Sequence, residues 1–275
     1  MEEIEYLYHY TSLESLALIL KNKTIRLNPL DKMDDLQEQK TADVKNLGKF
    51  VFVSSWTDDS IESIPMWKMY TAPTAGVRIR MKKNPFVRHR TFAEDVAKAA
   101  AKGVTVEIGK DGTADTFINI ADMIDKNYYC AQAFQGNILE KVKYDENIML
   151  LEPQVHNHDS NGERLDIGKL GLHKSTYWDF QSEWRYRLII IRMQYSSDSK
   201  KTEQAFAESM AKMIQGKEPA PLKYYDLDID PRCFEEMEIT CSPQMTYGNR
   251  VILETIIEKY NPCAKIVESE LLGKI

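Results

Sequence analysis

Glu183-Trp184-Arg185-Tyr186-Arg187-Leu188-Ile189-Ile190-Ile191-Arg192-Met193 decides the fold. Its polar start gives way to an aliphatic run, the pattern of a strand that leaves a polar surface and enters a core. Phe50–Trp56 (FVFVSSW) has the converse shape, an apolar run ending in two hydroxyls and an indole. Both read as central strands.

Working outward, Ile4–Tyr10 reads as a strand and Leu13–Asn22 as a helix, with Leu13, Leu16, Ala17 and Leu20 on one face and Thr11 or Ser12 as its cap. Thr24–Leu27 is strand-like and stops at Asn28-Pro29, before a polar loop from Asp31 to Glu38. Ile64–Tyr70 is a helix opened by proline, and Gly76–Met81 is a strand with its arginines on one face. Ala93–Lys102 is helical by composition, and Val104–Ile108 and Thr116–Ile120 flank a Lys110-Asp111-Gly112 turn as a hairpin. Val155–Leu170 lacks periodicity and reads as an exposed loop, and Lys174–Asp179 leads into the late strand. Thr202–Gln215 is an amphipathic helix followed by a loop, Gly216–Pro221. Met237–Cys241, Asn249–Tyr260 and Ala264–Glu268 close the chain as strand, helix and strand. The expectation is one α+β domain over residues 1–275.

Composition narrows the function. The 275 residues are 43% hydrophobic and 28% charged, ordinary for a globular chain. A net charge of -6 provides no global positive field for duplex nucleic acid, so any such contact needs a local basic patch. Cys130, Cys233, Cys241 and Cys263 stand far apart with no metal-ligand spacing and read as free thiols. MEEIEYLYHY is acidic and lacks the apolar segment of a secretory signal, and no apolar run reaches the roughly 20 residues of a membrane span. A cytoplasmic protein without a membrane partner is expected.

Four constellations carry chemistry. Tyr8-His9-Tyr10-Thr11-Ser12 places imidazole, phenol and hydroxyl groups beside a helix start, suited to a phosphate or a ribose; the bland alternative is aromatic core plus a cap. Asp31, Asp34, Asp35 and Glu38 form a carboxylate-rich loop without EF-hand spacing, either a solvated turn or a cation site. Ser54-Ser55-Trp56 with Met66-Trp67-Lys68-Met69-Tyr70 offers a stacking wall for a planar ring, or aromatic core. In Tyr177–Arg187, an extended strand would set Gln181, Glu183, Arg185 and Arg187 on one face; a structural pairing of Glu183 with an arginine is the alternative. No GxSxG, Walker loop, HExxH or GxGxxG is present.

YHYTS, Asn28-Pro29 with Asp34-Asp35, Ser54-Ser55, MWxxY at Met66–Tyr70 and W-x4-E-W-R from Trp178 to Arg185 together resemble a large bacterial family of uncharacterised function. More remotely, the opening strand with His-x-Thr, the helix ending in Ile-Leu and the short strand after it are similar to the ADP-ribosyltransferase fold, notably its DarT-like and phosphotransferase-like branches. That resemblance implies a central split mixed β-sheet flanked by helices, with NAD as substrate. It implies His9, in place of the toxin branch's arginine, on the NAD ribose and Ser54, Ser55 and Tyr70 near nicotinamide. It further implies Glu183, in a Gln181-x-Glu183 spacing, as the catalytic acid, with His9 and Gln181 in the catalytic set. Tyr10, Thr11, Arg26, Trp67 and Arg185 complete the NAD contacts, and Arg26, Arg78 or Arg185 would meet the pyrophosphate. No metal is implied. The acceptor would be an intracellular macromolecule, RNA, single-stranded DNA or protein, in a toxin or anti-phage setting with an antitoxin as partner. The alternatives are a non-catalytic nucleotide or nucleic-acid binding module, and a metal-dependent nuclease using Asp34, Asp35, Glu38 and Glu183.

Overall fold

A computed structural model of the chain describes residues 4–92, 94, 97, 99, 110, 113–134, 137–159 and 162–275. The first half contributes β1 (Tyr6–Ser12), α1 (Leu13–Asn22), β2 (Thr24–Pro29), β3 (Val51–Thr57), α2 (Ile64–Tyr70), β4 (Gly76–Lys82), β5 (His89–Thr91), β6 (Ala114–Thr116) and β7 (Tyr128–Cys130). There follow β8 (Leu139–Lys141), β9 (Lys143–Tyr144), β10 (His156–Asp159), β11 (Gly162–Leu165), β12 (His173–Lys174), β13 (Glu183–Arg192), β14 (Tyr225–Asp228), β15 (Glu238–Cys241) and β16 (Lys265–Val267). The main sheet has ten strands in the order β14-β2-β3-β1-β4-β15-β16, with β13 on β3 and with β7 and β8 on β13. Its pairs are antiparallel except β15 with β16, so the sheet is mixed and the fold is α+β.

β3 and β13 are central, paired along their length from Glu183 opposite Thr57 to Ile189 opposite Val51. The continuous apolar run of β3 is explained by burial on both faces: Phe52 and Trp56 enter one hydrophobic cluster, Val51 and Val53 the other. The edge of β3 away from β13 is divided between two neighbours. β2 pairs with it only at Val53 and Phe52, and β1 only at Thr57. Ser54, Ser55 and Trp56 have no strand partner on that side. β1 instead pairs with β4 over all seven residues, Tyr6 to Ser12, and diverges from β3 beyond Tyr8. The sheet therefore opens beside the hydroxyl end of β3.

α1 forms where a cap and a periodic stripe coincide. The Ser12 hydroxyl accepts from the Ser15 amide at 3.1 Å, and Lys23, in the left-handed region, ends the helix. Its buried stripe is Leu13, Leu16, Ile19 and Leu20, with Ile19 in the place expected for Ala17.

Other expectations are corrected. β2 continues through Pro29, because proline donates nothing to the two-residue pairing with β3. β6 pairs with β5 and Ile120 opens a helix, so Thr116–Ile120 is not a hairpin strand; Val104–Ile108 and most of Ala93–Lys102 lie outside the described residues. Val155–Leu170 contains the hairpin β10–β11, hidden because HNHD and GERL alternate no apolar residues. No helix among the described residues is long and apolar enough to cross a membrane.

Candidate active-site cleft

A cleft of about 330 Å³ occupies the split, at the lower end of the range of ligand pockets. Its walls are the outer end of β1, the inner flank of α1, the outward face of β2, the hydroxyl end of β3, and the start of β13. Both His9 and Glu183 line it.

His9 sits on β1 where that strand leaves β3. Its Nδ1 lies 2.8 Å from the Ser55 carbonyl, and because a carbonyl only accepts, Nδ1 carries the proton. The ring rests on Trp56 with centroids 5.0 Å apart. Burial pushes the imidazole below its ordinary pKa and outweighs the opposing hydrogen bond to Ser55, so the ring is neutral at physiological pH. Nε2 is left as an acceptor, the form that suits a ligand hydroxyl.

Glu183 stands at the first position of β13 and is 3% exposed. Arg185 Nε and Nη2 donate to its two oxygens at 2.6 and 3.2 Å, and Lys174 Nζ donates to Oε2 at 3.1 Å. Burial pushes the carboxyl up, but the Arg185 and Lys174 charges more than offset it and hold the pKa at about 2. Glu183 is therefore an anion.

Behind it, Arg185 also meets Glu38 Oε2 at 2.6 Å and donates to the Gly171 carbonyl at 3.1 Å. The Glu38 contact is ionic without hydrogen-bond alignment, and burial raises the Glu38 pKa against the pull of Arg185. A polar chain runs outward from the same centre. Lys174 donates to Gln181 Oε1 at 2.9 Å, Gln181 Nε2 donates to the Tyr70 hydroxyl, and Tyr70 donates to Asp34 Oδ2 at 2.8 Å. Burial and the neighbouring Asp34 raise the Tyr70 pKa, so the phenol keeps its proton.

Of the residues expected at the site, His9, Tyr10, Thr11, Arg26, Ser54, Ser55, Tyr70, Gln181, Glu183 and Arg185 all line the cleft. Trp67 does not. Its indole is buried and donates to Glu62 Oε2 at 2.8 Å, so it forms no stacking wall. Gln181 is not in the strand: it ends a short 3-10 helix, and Ser182 at φ 42° reverses the chain before Glu183. Arg185, 1% exposed, braces two carboxylates and presents no free plane to a pyrophosphate. Arg78 lies outside the cleft, donating to the Ser60 carbonyl, and Arg26 is paired with Asp226. Ser54 accepts from the Trp56 indole at 3.0 Å, which turns that ring, and the Tyr10 hydroxyl accepts from the Ser63 amide.

The acidic loop does not act together. Asp34 faces Tyr70, Asp35 accepts from the Gln37 amide, and Glu38 faces Arg185; among the described residues no three His, Cys, Asp or Glu side chains gather as metal ligands. Lys174 escaped sequence reading, since a lone lysine in a short polar segment carries no pattern.

The fold and cleft thus define a mixed α+β protein with a ligand-sized opening in a split sheet, an uncharged imidazole on one wall and a braced carboxylate on another. No protein-family model, curated protein or solved structure matches the chain.

Proposed function

We propose that the cleft binds NAD and that the protein transfers ADP-ribose to a macromolecular acceptor, nucleic acid or protein. One observation carries this reading: His9 and Glu183, far apart in the sequence, line a single cleft formed by a break in sheet pairing. A neutral His9 Nε2 can accept from a ribose hydroxyl. Ionised Glu183 can stabilise the positive charge that develops on the ribose as its bond to nicotinamide breaks. Nicotinamide leaves with the bonding pair, and the acceptor forms the new bond to the anomeric carbon and gives up its proton.

The double pairing of Glu183 favours a second reading, a nucleotide-binding module without turnover, because two cations offset the carboxylate field that catalysis needs. Incubation with NAD labelled in its adenylate half, together with cell lysate or single-stranded nucleic acid, separates the two. Transferase activity predicts labelled product that Glu183→Gln abolishes. Label that stays in free NAD with both proteins, while NAD still binds, selects the module.

A further inference from the structure

We propose that the Arg26 guanidinium is a stacking plate for the purine base of a nucleotide in the cleft; the assignment rests on the nucleotide-site reading and names its base subsite. On β2, Ile25 and Leu27 are buried while Thr24, Arg26 and Asn28 point outward at alternate positions; these three line the cleft, as does Ile25. Arg26 is fixed flat. Asp226, its partner across the β2–β14 ladder, accepts from Nε and Nη2 at 2.9 and 3.1 Å. The Tyr224 ring covers one guanidinium face, 3.5 Å from the central carbon to the ring centroid. Arg26 and Asp226 line the cleft and Tyr224 does not, and the guanidinium face away from Tyr224 is the one assigned to the base.

The chemistry of such a group favours a ring over a phosphate. Asp226 already neutralises the charge and occupies the Nε/Nη2 edge that would grip an anion bidentately, whereas a planar delocalised cation stacks well on π systems. Thr24 and Asn28, one on each side of the plate, supply a hydroxyl and an amide for the edge of a base. The side chain is 37% exposed, which leaves room for a ring to lie against it.

Calorimetric titration of the full chain with AMP and with ribose 5-phosphate tests this, comparing the native protein with Arg26→Ala and Arg26→Lys. Arg26→Lys retains the charge beside Asp226 but loses the plane, and thermal melts establish that each variant is folded. Both variants should weaken AMP roughly tenfold, while ribose 5-phosphate binding by Arg26→Lys stays within about twofold. The proposal is overturned if the native protein does not bind AMP, if AMP affinity is unmoved in both variants, or if Arg26→Lys keeps full AMP affinity while Arg26→Ala loses AMP and ribose 5-phosphate alike, the signature of a phosphate contact. Plate-dependent AMP binding without NAD consumption would sink the transferase reading alone. NAD consumption with Arg26-independent AMP binding would sink the plate alone.

Discussion

Arg185→Leu should be the most damaging single change near the cleft, and its cost follows from charge. The native centre holds Glu38 and Glu183 against Arg185 and Lys174, all at most 3% exposed. Loss of Arg185 leaves two buried carboxylates facing one ammonium, and breaking a buried pair in this way costs about 3–5 kcal/mol. With an unfolding entropy of about 2.1 cal/mol/K per residue over 275 residues, each degree corresponds to about 0.6 kcal/mol, so the melting temperature should fall by about 5–9 °C. Glu38→Gln added to Arg185→Leu removes one of the two competing anions and should recover about 1–2 kcal/mol. Differential scanning calorimetry at neutral pH on the single and double variants reads both effects. A fall under about 2 °C for Arg185→Leu, or a deeper loss in the double variant, would refute the picture of a charge-compensated buried centre.

Three further outcomes follow from the same side chains. Glu183 has a depressed folded pKa, about 2 against 4.5 unfolded, so it contributes about 3 kcal/mol of stability present above pH 4.5 and lost as pH falls toward 2; urea titrations across that window should show a shallower loss for Glu183→Gln. His9, lowered by burial, favours the folded state above 6.5 and loses that contribution as pH falls, so nucleotide affinity should stay flat from about pH 8 down to 6.5; an affinity that changes steeply across this range and levels in His9→Asn would count against a neutral ring. Glu62 accepts from the Trp67 indole, the Ser269 hydroxyl and the Glu270 amide, tying the C-terminal segment to α2. Glu62→Ala should therefore cost about 1–3 kcal/mol and expose the last residues to carboxypeptidase; an unchanged digestion rate would remove this tie.

The legible parts of the fold were those where one residue type has one strong local preference. FVFV and LIII announced strands buried on both faces, and the Thr11-Ser12 pair announced a helix start, with Ser12 the cap. Ser55 and Glu183 were legible as polar groups toward strand ends, whereas His9, expected at a strand end, lies in the middle of β1 because the strand runs on to Ser12 along β4. What escaped depended on long-range geometry. Lys174 reaches Glu183 only because a short helix and a left-handed Ser182 fold the chain back, and Arg26 meets Asp226 across a strand pair invisible in either segment. Trp67 misled because an indole on a short helix fits a stacking wall and a buried hydrogen-bonded anchor equally well. The β10–β11 hairpin escaped because a ladder polar on both faces leaves no hydrophobic period.

The most direct test is to titrate NAD into native protein, His9→Ala and Glu183→Gln by calorimetry while assaying nicotinamide release from the same samples. The dinucleotide-cleft account predicts binding with release in the native protein, binding without release in Glu183→Gln, and binding weakened roughly tenfold in His9→Ala. Absence of NAD binding to folded native protein, or equal nicotinamide release from native protein and Glu183→Gln, would contradict it.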